Sequence, residues 1–378
     1  MKYRRMENIG VDVSALGFGC MRLPILGDDA ARIDYQLADR MLHYAIDSGV
    51  NYVDTAYPYH KGESERFVGE SLSNGYRDRV YLATKMPTWL IQSEADFQRY
   101  LDEQLVKLKT DHIDFYLLHG LNKSRWPELL KHGVFDFLES AMMSGKIRFP
   151  GFSFHDDIET YKKIIDSYPW AMSQIQLNYM DTHYQAGVEG LEYAQSKDIP
   201  LVIMEPLRGG RLATRIPEDI HAIWKSYSEE VSPVEWAFKW VYNFPAVKTV
   251  LSGMSTMDHV IANLDIFSRS EPNCLTDEEM TVINQVRDLY KMRIKTPCTN
   301  CGYCTPCPSG VDIPQVMAAY NNASIYNLPQ GMSFEYDMLL AQGKGADKCT
   351  ECGRCVPLCP QNIQIPQTIK EAHEHLRK

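Results

Sequence analysis

The sequence of 378 residues lacks the features that would assign it to a membrane or to nucleic acid. It has no apolar run of about 18 residues, so we predict no membrane-spanning segment. The charged first ten residues are not followed by an apolar stretch, and a secretory signal is therefore not expected. Lys and Arg total 39 against 49 Asp and Glu, and this net charge of −10 argues against a nucleic-acid partner. A soluble cytoplasmic protein is expected.

Cysteine is nearly absent from the first three quarters of the chain. Only Cys20 and Cys274 precede Cys298, and the other eight of the ten cysteines lie from there to the C-terminus. Because the cytoplasm keeps thiols reduced, this clustering indicates metal binding rather than a disulfide framework. The composition therefore predicts two domains, residues 1–290 and residues 291–378.

The first domain alternates short apolar runs with longer amphipathic stretches. Runs ended by Gly, Pro or polar residues are typical of strands buried on both faces. The eight candidates are Ala15–Gly19, Asn51–Asp54, Val80–Thr84, Ile113–Leu118, Ile147–Gly151, Gln174–Leu177, Leu201–Met204 and Val247–Leu251. They predict an α/β fold, a (β/α)₈ TIM barrel, which usually takes about 250 residues. An open doubly wound sheet would carry GxGxxG after its first strand, and residues 17–22 lack the third glycine.

Two further patterns complete the predicted fold. Tyr3–Val13 contains two short extended runs around a glycine turn, which predicts a hairpin that plugs the bottom of the barrel. After Cys298 the chain is rich in Gly, Pro and Cys, with a helical insert from about Val316 to Gln342. We therefore expect a smaller, mainly α-helical domain to follow the barrel.

Ionisable side chains follow three successive strands, where barrel enzymes place their active sites. These are Asp54, Lys85 and His119, and Tyr59 lies five residues beyond Asp54. A Lys ammonium near Tyr59 would lower the pKa of the phenol, Asp54 would orient that Lys, and His119 would hydrogen-bond a carbonyl oxygen. The alternative is that each is an ordinary strand-end residue. Trp89 and Trp126 either line an apolar pocket nearby or pack within their loops.

The motifs that contain these residues resemble the aldo/keto reductase family over about residues 1–290. They are DTAYPY at 54–59, GESE at 62–65, ATK at 83–85, LLH at 117–119, and GKIR at 145–148 leading into GFS at 151–153. The resemblance implies a (β/α)₈ barrel that reduces a small-molecule carbonyl substrate with NAD(P)H as hydride donor. It also implies a catalytic tetrad of Asp54, Tyr59, Lys85 and His119, with Tyr59 as general acid.

The same resemblance implies a set of cofactor-binding residues. Ser153 and Gln174 would hold the nicotinamide carboxamide, and Ser252 and Asn263 match the adenosine-phosphate loop. Phe154 and Met204 depart from the Asn and the aromatic residue common at these positions. Gly253 and His259 replace basic residues that often bind a 2′-phosphate, which favours NADH over NADPH because phosphate recognition relies on charge-assisted hydrogen bonds. Arg208 either reaches the diphosphate or is an exposed loop residue.

The C-terminal cysteines form two related motifs. Residues 298–308 read C-x2-C-x2-C-x2-C-P and residues 349–360 read C-x2-C-x2-C-x3-C-P, the second being the spacing of bacterial ferredoxins. In two-cluster ferredoxins the fourth Cys of each run serves the other cluster. We therefore predict one [4Fe–4S] cluster on Cys298, Cys301, Cys304 and Cys359, and a second on Cys349, Cys352, Cys355 and Cys307. A pair of structural zinc sites is the alternative.

The tail is also similar to the dicluster ferredoxin domains attached to some bacterial aldo/keto reductases. Three interpretations of the combination stay open. The barrel performs hydride transfer while the clusters exchange electrons with a one-electron redox protein partner or brace the fold. Alternatively, FMN in the barrel converts between one- and two-electron steps, or the chain is a non-catalytic regulatory subunit. The intact tetrad argues against the last of these.

Overall fold

A computed structural model describes residues 1–214, 216–298, 300 and 302–377 of the chain. Cys301, a predicted cluster ligand, lies outside the described residues. The chain begins with an antiparallel hairpin of β1 (Tyr3–Met6) and β2 (Val11–Ser14). Met6 and Val13 are fully buried in one core cluster with Tyr52 and Met172, the first residues of two barrel strands. The predicted hairpin is confirmed, and it closes the end of the barrel where the strands begin.

Eight parallel strands form a closed barrel in the order β10-β3-β4-β5-β6-β7-β8-β9, which confirms the predicted fold class. Their bounds are β3 (Leu16–Gly19), β4 (Tyr52–Asp54), β5 (Tyr81–Met86), β6 (Ile113–Leu121), β7 (Ile147–Phe154), β8 (Met172–Gln176), β9 (Leu201–Met204) and β10 (Val247–Ser252). β5, β6 and β7 extend beyond their predicted ends. Lys85 and His119 therefore lie within the last residues of their strands rather than after the strands end.

Close approach between strands requires glycine at position 151. A Cβ on Gly151 would lie 2.9 Å from the backbone carbonyl oxygen of Met172 on the neighbouring strand β8. This distance is too short for a real contact, so a larger residue would push the two strands apart.

Helices connect the strands, and several begin at side chains that accept hydrogen bonds from the first helical turn. Asp34, Asp157 and Thr256 cap their helices, and Thr276 forms a capping box with Glu279. The described helices are α1 (Tyr35–Asp47), α2 (Ser64–Ser71), α3 (Glu94–Lys107), α4 (Arg125–Lys131), α5 (Val134–Met143), α6 (Ile158–Ile165), α7 (Gly187–Ser196), α8 (Glu218–Tyr227), α9 (Pro233–Tyr242), α10 (Met257–Arg269), α11 (Asp277–Met292), α12 (Ile313–Ile325), α13 (Phe334–Ala341) and α14 (Ile365–Arg377). None of the helices within the described residues is long and apolar enough to cross a membrane.

The chain forms two compact units. The first comprises Met1–Gly209 and Val234–Leu275, and the second comprises Gly210–Pro233 and Thr276–Lys378. The second unit therefore includes α8, which lies between the barrel strands β9 and β10 in the sequence. Within that unit α8 packs against α11, and Arg293 Nη2 lies 2.6 Å from Asp219 Oδ1. The boundary expected after residue 290 falls inside α11.

The second unit has its own apolar core, built mainly by α12 and α14. Val316, Met317 and Ala372 are fully buried there, and the partly buried cysteines pack against the same core. The expected helical insert consists of α12 and α13, so the smaller unit is mainly helical, as predicted.

Candidate active site and cluster ligands

Asp54 and Lys85 form a buried ion pair at the C-terminal ends of β4 and β5. The strand register pairs Asp54 with Ala83, two residues before Lys85 on the same face. Lys85 Nζ donates to the two carboxylate oxygens at 2.8 and 2.7 Å and to the Thr55 carbonyl oxygen at 2.7 Å. Burial alone lowers the pKa of the Lys85 ammonium, but Asp54 and Tyr59 outweigh it, so the pKa lies above its ordinary value. The amine therefore stays charged.

Tyr59 lies in the loop after β4 and points its hydroxyl at this pair. The Tyr59 hydroxyl oxygen is 3.4 Å from Lys85 Nζ, which lies 4.9 Å from the centre of the phenol ring. The loop is held by His60, whose Nε2 accepts from the Leu23 amide at 3.2 Å and whose Nδ1 contacts the Ala30 carbonyl at 2.7 Å. The phenol is thus positioned by its neighbours in the chain as well as by Lys85.

The net pKa shift of Tyr59 is opposite to the direction expected from the sequence. Burial raises the pKa of the phenol, and the nearby Lys85 charge lowers it by less, so the pKa lies above its ordinary value. Lys85 does lower this pKa, as expected, but burial is the larger effect and reverses the net shift. A phenol with a raised pKa keeps its proton at neutral pH and can donate it.

His119 lies near the end of β6 with its ring 6.2 Å from that of Tyr59. Thr88 Oγ1 donates to the His119 carbonyl oxygen at 2.6 Å, and the ring of Trp89 contacts the imidazole at 5.3 Å between centroids. Burial, aided by the charge of Lys85, holds the pKa of His119 well below its usual range. The imidazole is therefore neutral, and its buried Nδ1 has no hydrogen-bond partner within the described residues. Trp126, in contrast, packs against Trp170.

Ser153 and Gln174 lie side by side on β7 and β8, and their register pairs them directly. Ser153 Oγ accepts from the Gly120 amide at 2.8 Å, next to His119. Gln174 Nε2 approaches Met204 Sδ at 3.5 Å, whereas Gln174 Oε1 is buried with no partner in the described part of the chain. Phe154 packs on Tyr161 of α6. A buried amide oxygen without a partner fits a ligand that donates a hydrogen bond, as a carboxamide does.

The predicted phosphate residues lie at the end of β10, in α10 and after β9. Asn263 Nδ2 donates to Ser252 Oγ at 2.9 Å, and the N-terminus of α10 follows. Arg208 Nε lies 3.3 Å from Asp181 Oδ2. The aliphatic stem of Arg22 passes 3.1 Å from where a Gly253 Cβ would be, and its Nη2 is 3.2 Å from the equivalent point on Gly209. Arg22 therefore places a positive charge near these residues, at the end of the barrel where the strands finish. The sequence analysis did not predict this role for Arg22.

Cysteines of the second unit line two separate cavities. The first is lined by Cys298, Cys304 and Cys359. The second is lined by Cys307, Cys349, Cys352 and Cys355. The last cysteine of each motif thus lies with the other motif. Ile313 and Ile365 line both cavities and separate them.

The cavities suit iron–sulfur clusters better than single ions. Thiolates are the ligands that hold such clusters, and an apolar surround is usual for them. The cysteines surround a space rather than one point, and Ile313 and Ile365 contribute apolar surface to both cavities. This geometry favours clusters over the zinc alternative.

Comparison with known proteins agrees with both halves of this description. Residues 15–288 match the Aldo/keto reductase family profile. The chain belongs to the aldo/keto reductase family. Residues 297–364 match a 4Fe-4S dicluster domain. An aldo/keto reductase with such a tail accounts for the abrupt change in cysteine content.

Similar aldo/keto reductases come from several bacteria. An uncharacterized oxidoreductase, YqkF of Bacillus subtilis, is 26% identical over 77% of this chain and 99% of its own length. The methylglyoxal reductase YeaE of Escherichia coli is 26% identical over 69% of this chain and 88% of its own length. Among solved structures, AKR11C1 from Bacillus halodurans is 27% identical with a TM-score of 0.64, covering 76% of this chain and 96% of that one.

This aldo/keto reductase also has a buried network behind Lys85 that sequence reasoning did not assign. Gln104 Nε2 donates to Glu65 Oε1 at 2.5 Å and to the Lys85 carbonyl oxygen at 3.1 Å. Thr84 Oγ1 donates to the same Glu65 oxygen at 2.7 Å, and Tyr116 donates to Gln104 Oε1 at 2.8 Å. The network fixes the backbone that carries Lys85. Glu65 was noted only as part of a family motif, and Gln104 lies in an amphipathic pattern with no local signal.

Proposed function

We propose that the barrel unit reduces a carbonyl compound with NAD(P)H and that the second unit carries two [4Fe–4S] clusters for electron transfer. When bound, NAD(P)H supplies a hydride to the carbonyl carbon. Tyr59 donates its proton to the carbonyl oxygen, and the neutral imidazole of His119 holds that oxygen by a hydrogen bond. Lys85, kept charged by Asp54, stabilises the phenolate that remains. Solvent then restores the proton on Tyr59.

One observation supports this assignment above the others. The only cation beside the Tyr59 hydroxyl in the described residues is Lys85, which is fully buried and held by both oxygens of Asp54. Such a charge is costly to bury and is positioned for a negative charge that develops on Tyr59. An arrangement of this kind favours catalysis over a purely structural or regulatory role.

The cofactor pocket supports a nicotinamide over a flavin. The free Gln174 Oε1 is an acceptor for a carboxamide NH₂, and Ser153 lies beside it. A cofactor phosphate would meet Arg22, Ser252, Asn263 and the N-terminus of α10. Gly253 and His259 supply no permanent cation for a 2′-phosphate, which supports NADH as the preferred donor. FMN remains the alternative cofactor.

The clusters would bind to crossed ligand sets. We assign Cys298, Cys304 and Cys359 to one cluster, together with Cys301, and Cys307 with Cys349, Cys352 and Cys355 to the other. Support comes from the two cavities that these cysteines line. Cys352 is exposed, which gives a one-electron redox protein partner a short path to the second cluster.

Replacing Tyr59 by Phe tests the proposed reduction. Loss of the proton donor should lower kcat for aldehyde reduction by about 10²- to 10⁴-fold while NAD(P)H binding, followed by fluorescence, persists. Tyr57→Phe is the matched control, because the Tyr57 hydroxyl donates to Glu103 at 3.1 Å rather than facing Lys85. A Tyr59→Phe variant as active as Tyr57→Phe would refute the acid role.

A further inference from the structure

An arginine at the start of α4 lies near the end of β6 that carries His119. Arg125 Nη1 donates to the Gly120 carbonyl oxygen at 2.8 Å, and its guanidinium lies 5.7 Å from the centre of the Trp89 ring. The same Trp89 ring contacts the imidazole of His119 at 5.3 Å. Gly120 has φ of +61°, and a Cβ there would lie 3.0 Å from Arg125 Nη1. The loop backbone, the indole and the guanidinium therefore fix one another beside His119.

The charge of Arg125 has no counter-ion in the described part of the chain. Its one hydrogen bond goes to a neutral carbonyl, although a guanidinium has five donor hydrogens. The carboxylate of Asp156, on the neighbouring loop, accepts instead from the backbone amides of Lys123 and Asp157 at 2.7 and 2.8 Å. Lys85 is neutralised by Asp54. Arg125 is thus an uncompensated cation close to His119, and it is partly buried.

Neutral hydrogen-bond donors surround this cation. His155 approaches the same point above Gly120, and burial together with the Arg125 charge lowers the pKa of His155. His119 is neutral because burial and the charge of Lys85 hold its pKa well below its usual range. Trp89 is 40% exposed and presents an apolar surface between Arg125 and His119. This region therefore offers the fixed positive charge of Arg125, an apolar wall, and the neutral imidazole of His119 near the proton donor.

We infer that the carbonyl substrate carries a carboxylate group, which the guanidinium of Arg125 binds while the carbonyl oxygen lies at Tyr59 and His119. This inference rests on the proposed reductase function. A planar guanidinium matches a carboxylate with two parallel hydrogen bonds, and one cation balances one negative charge. The hydride of NAD(P)H adds to the carbonyl carbon and the proton of Tyr59 adds to the oxygen. The product is a hydroxycarboxylate, and NAD(P)⁺ is released.

Matched substrate pairs test the inference. We would measure kcat/KM for 4-carboxybenzaldehyde against benzaldehyde, for succinic semialdehyde against butanal, and for glyceraldehyde 3-phosphate against glyceraldehyde. Wild-type protein should prefer at least one carboxylate over its neutral partner by about tenfold or more, since tenfold corresponds to about 1.4 kcal/mol of binding free energy. Arg125→Met should abolish that preference, and Arg125→Lys should retain part of it.

Lys123→Met is the matched control, because it removes an exposed positive charge from the same loop. Its carboxylate preference should equal that of the wild type. Equal wild-type rates on all charged and neutral pairs would overturn the inference while leaving the reductase function intact. A preference for the phosphate alone, lost in Arg125→Met, would also overturn it in favour of a phosphorylated substrate. Absence of Tyr59-dependent reduction of every aldehyde would overturn the reductase function itself.

Discussion

Replacing Asp54 by Asn removes the negative partner of Lys85 at almost constant volume. The two side chains are 3% and 0% exposed, so solvent does not screen their interaction. Because the change leaves a buried ammonium unpaired, we expect the free energy of unfolding to fall by about 3–5 kcal/mol. The amide NH₂ of the new Asn would also face the ammonium, donor against donor.

An exposed ion pair with a similar distance between its charged atoms is the control. Asp47 Oδ1 lies 2.8 Å from Arg79 Nη1, but these side chains are 54% and 45% exposed. Asp47→Asn should therefore cost at most about 1 kcal/mol. Denaturant titrations followed by circular dichroism measure both variants, and hydrogen exchange at the Thr55 amide, which donates to Ala83, localises the effect to β4 and β5. Equal losses in the two variants would refute the reasoning.

The difference should also depend on pH. The pKa of Lys85 in the folded wild type lies above its unfolded value, so its stabilisation is complete below about pH 10.4 and is lost as the pH rises through the folded pKa. Without Asp54, burial lowers this pKa instead, and the variant regains stability as the amine becomes neutral. The two unfolding free energies should therefore converge at high pH, and a constant gap would contradict the assigned ion pair.

Three other outcomes follow from the structure. Because the pKa of Tyr59 is raised, kcat/KM should stay constant on the alkaline side until above about pH 10, and a decline with an apparent pKa well below that value would contradict a protonated phenol. Cys307→Ser and Cys352→Ser should perturb the electron paramagnetic resonance signal of the same cluster, and with two clusters each variant should lose about half of its iron. If Cys307→Ser instead perturbed the same signal as Cys304→Ser, the crossed ligand sets would be contradicted. Gln174→Leu should weaken NAD(P)H binding about tenfold by calorimetry, since the buried Oε1 acceptor is lost, and unchanged affinity would exclude Gln174 from the cofactor site.

The strands of the barrel could be predicted because each is buried on both faces and reads as a short apolar run. The ends of the strands were less accurate, because an ionisable residue was taken to end a run. β5 continues past Lys85 to Met86, and β6 continues past His119 to Leu121. The charge of Lys85 can lie within β5 because Asp54 on the neighbouring strand neutralises it. A pattern within a single strand does not show such a partner.

The candidate catalytic residues were predictable from their places at strand ends and from family motifs. Their electrostatics were not, because the balance between burial and charge at Tyr59 depends on packing around the ring. Arg22, Gln104 and Arg125 carried no local signal, since their roles come from elements that are distant in sequence. Cys307 lines the same cavity as Cys349, Cys352 and Cys355, in agreement with the crossed pattern of two-cluster ferredoxins on which its predicted role rests.

Most of the segment between β9 and α9 belongs to the second unit, so the chain connects the two units more than once. The polypeptide passes from one unit to the other after Gly209, returns before Val234 and leaves again after Leu275. A cut after residue 290 would therefore not separate the two units, because α8 and most of α11 would remain on the N-terminal fragment. The smaller unit includes a helix that lies between two barrel strands in the sequence, so this unit cannot be excised as one continuous segment.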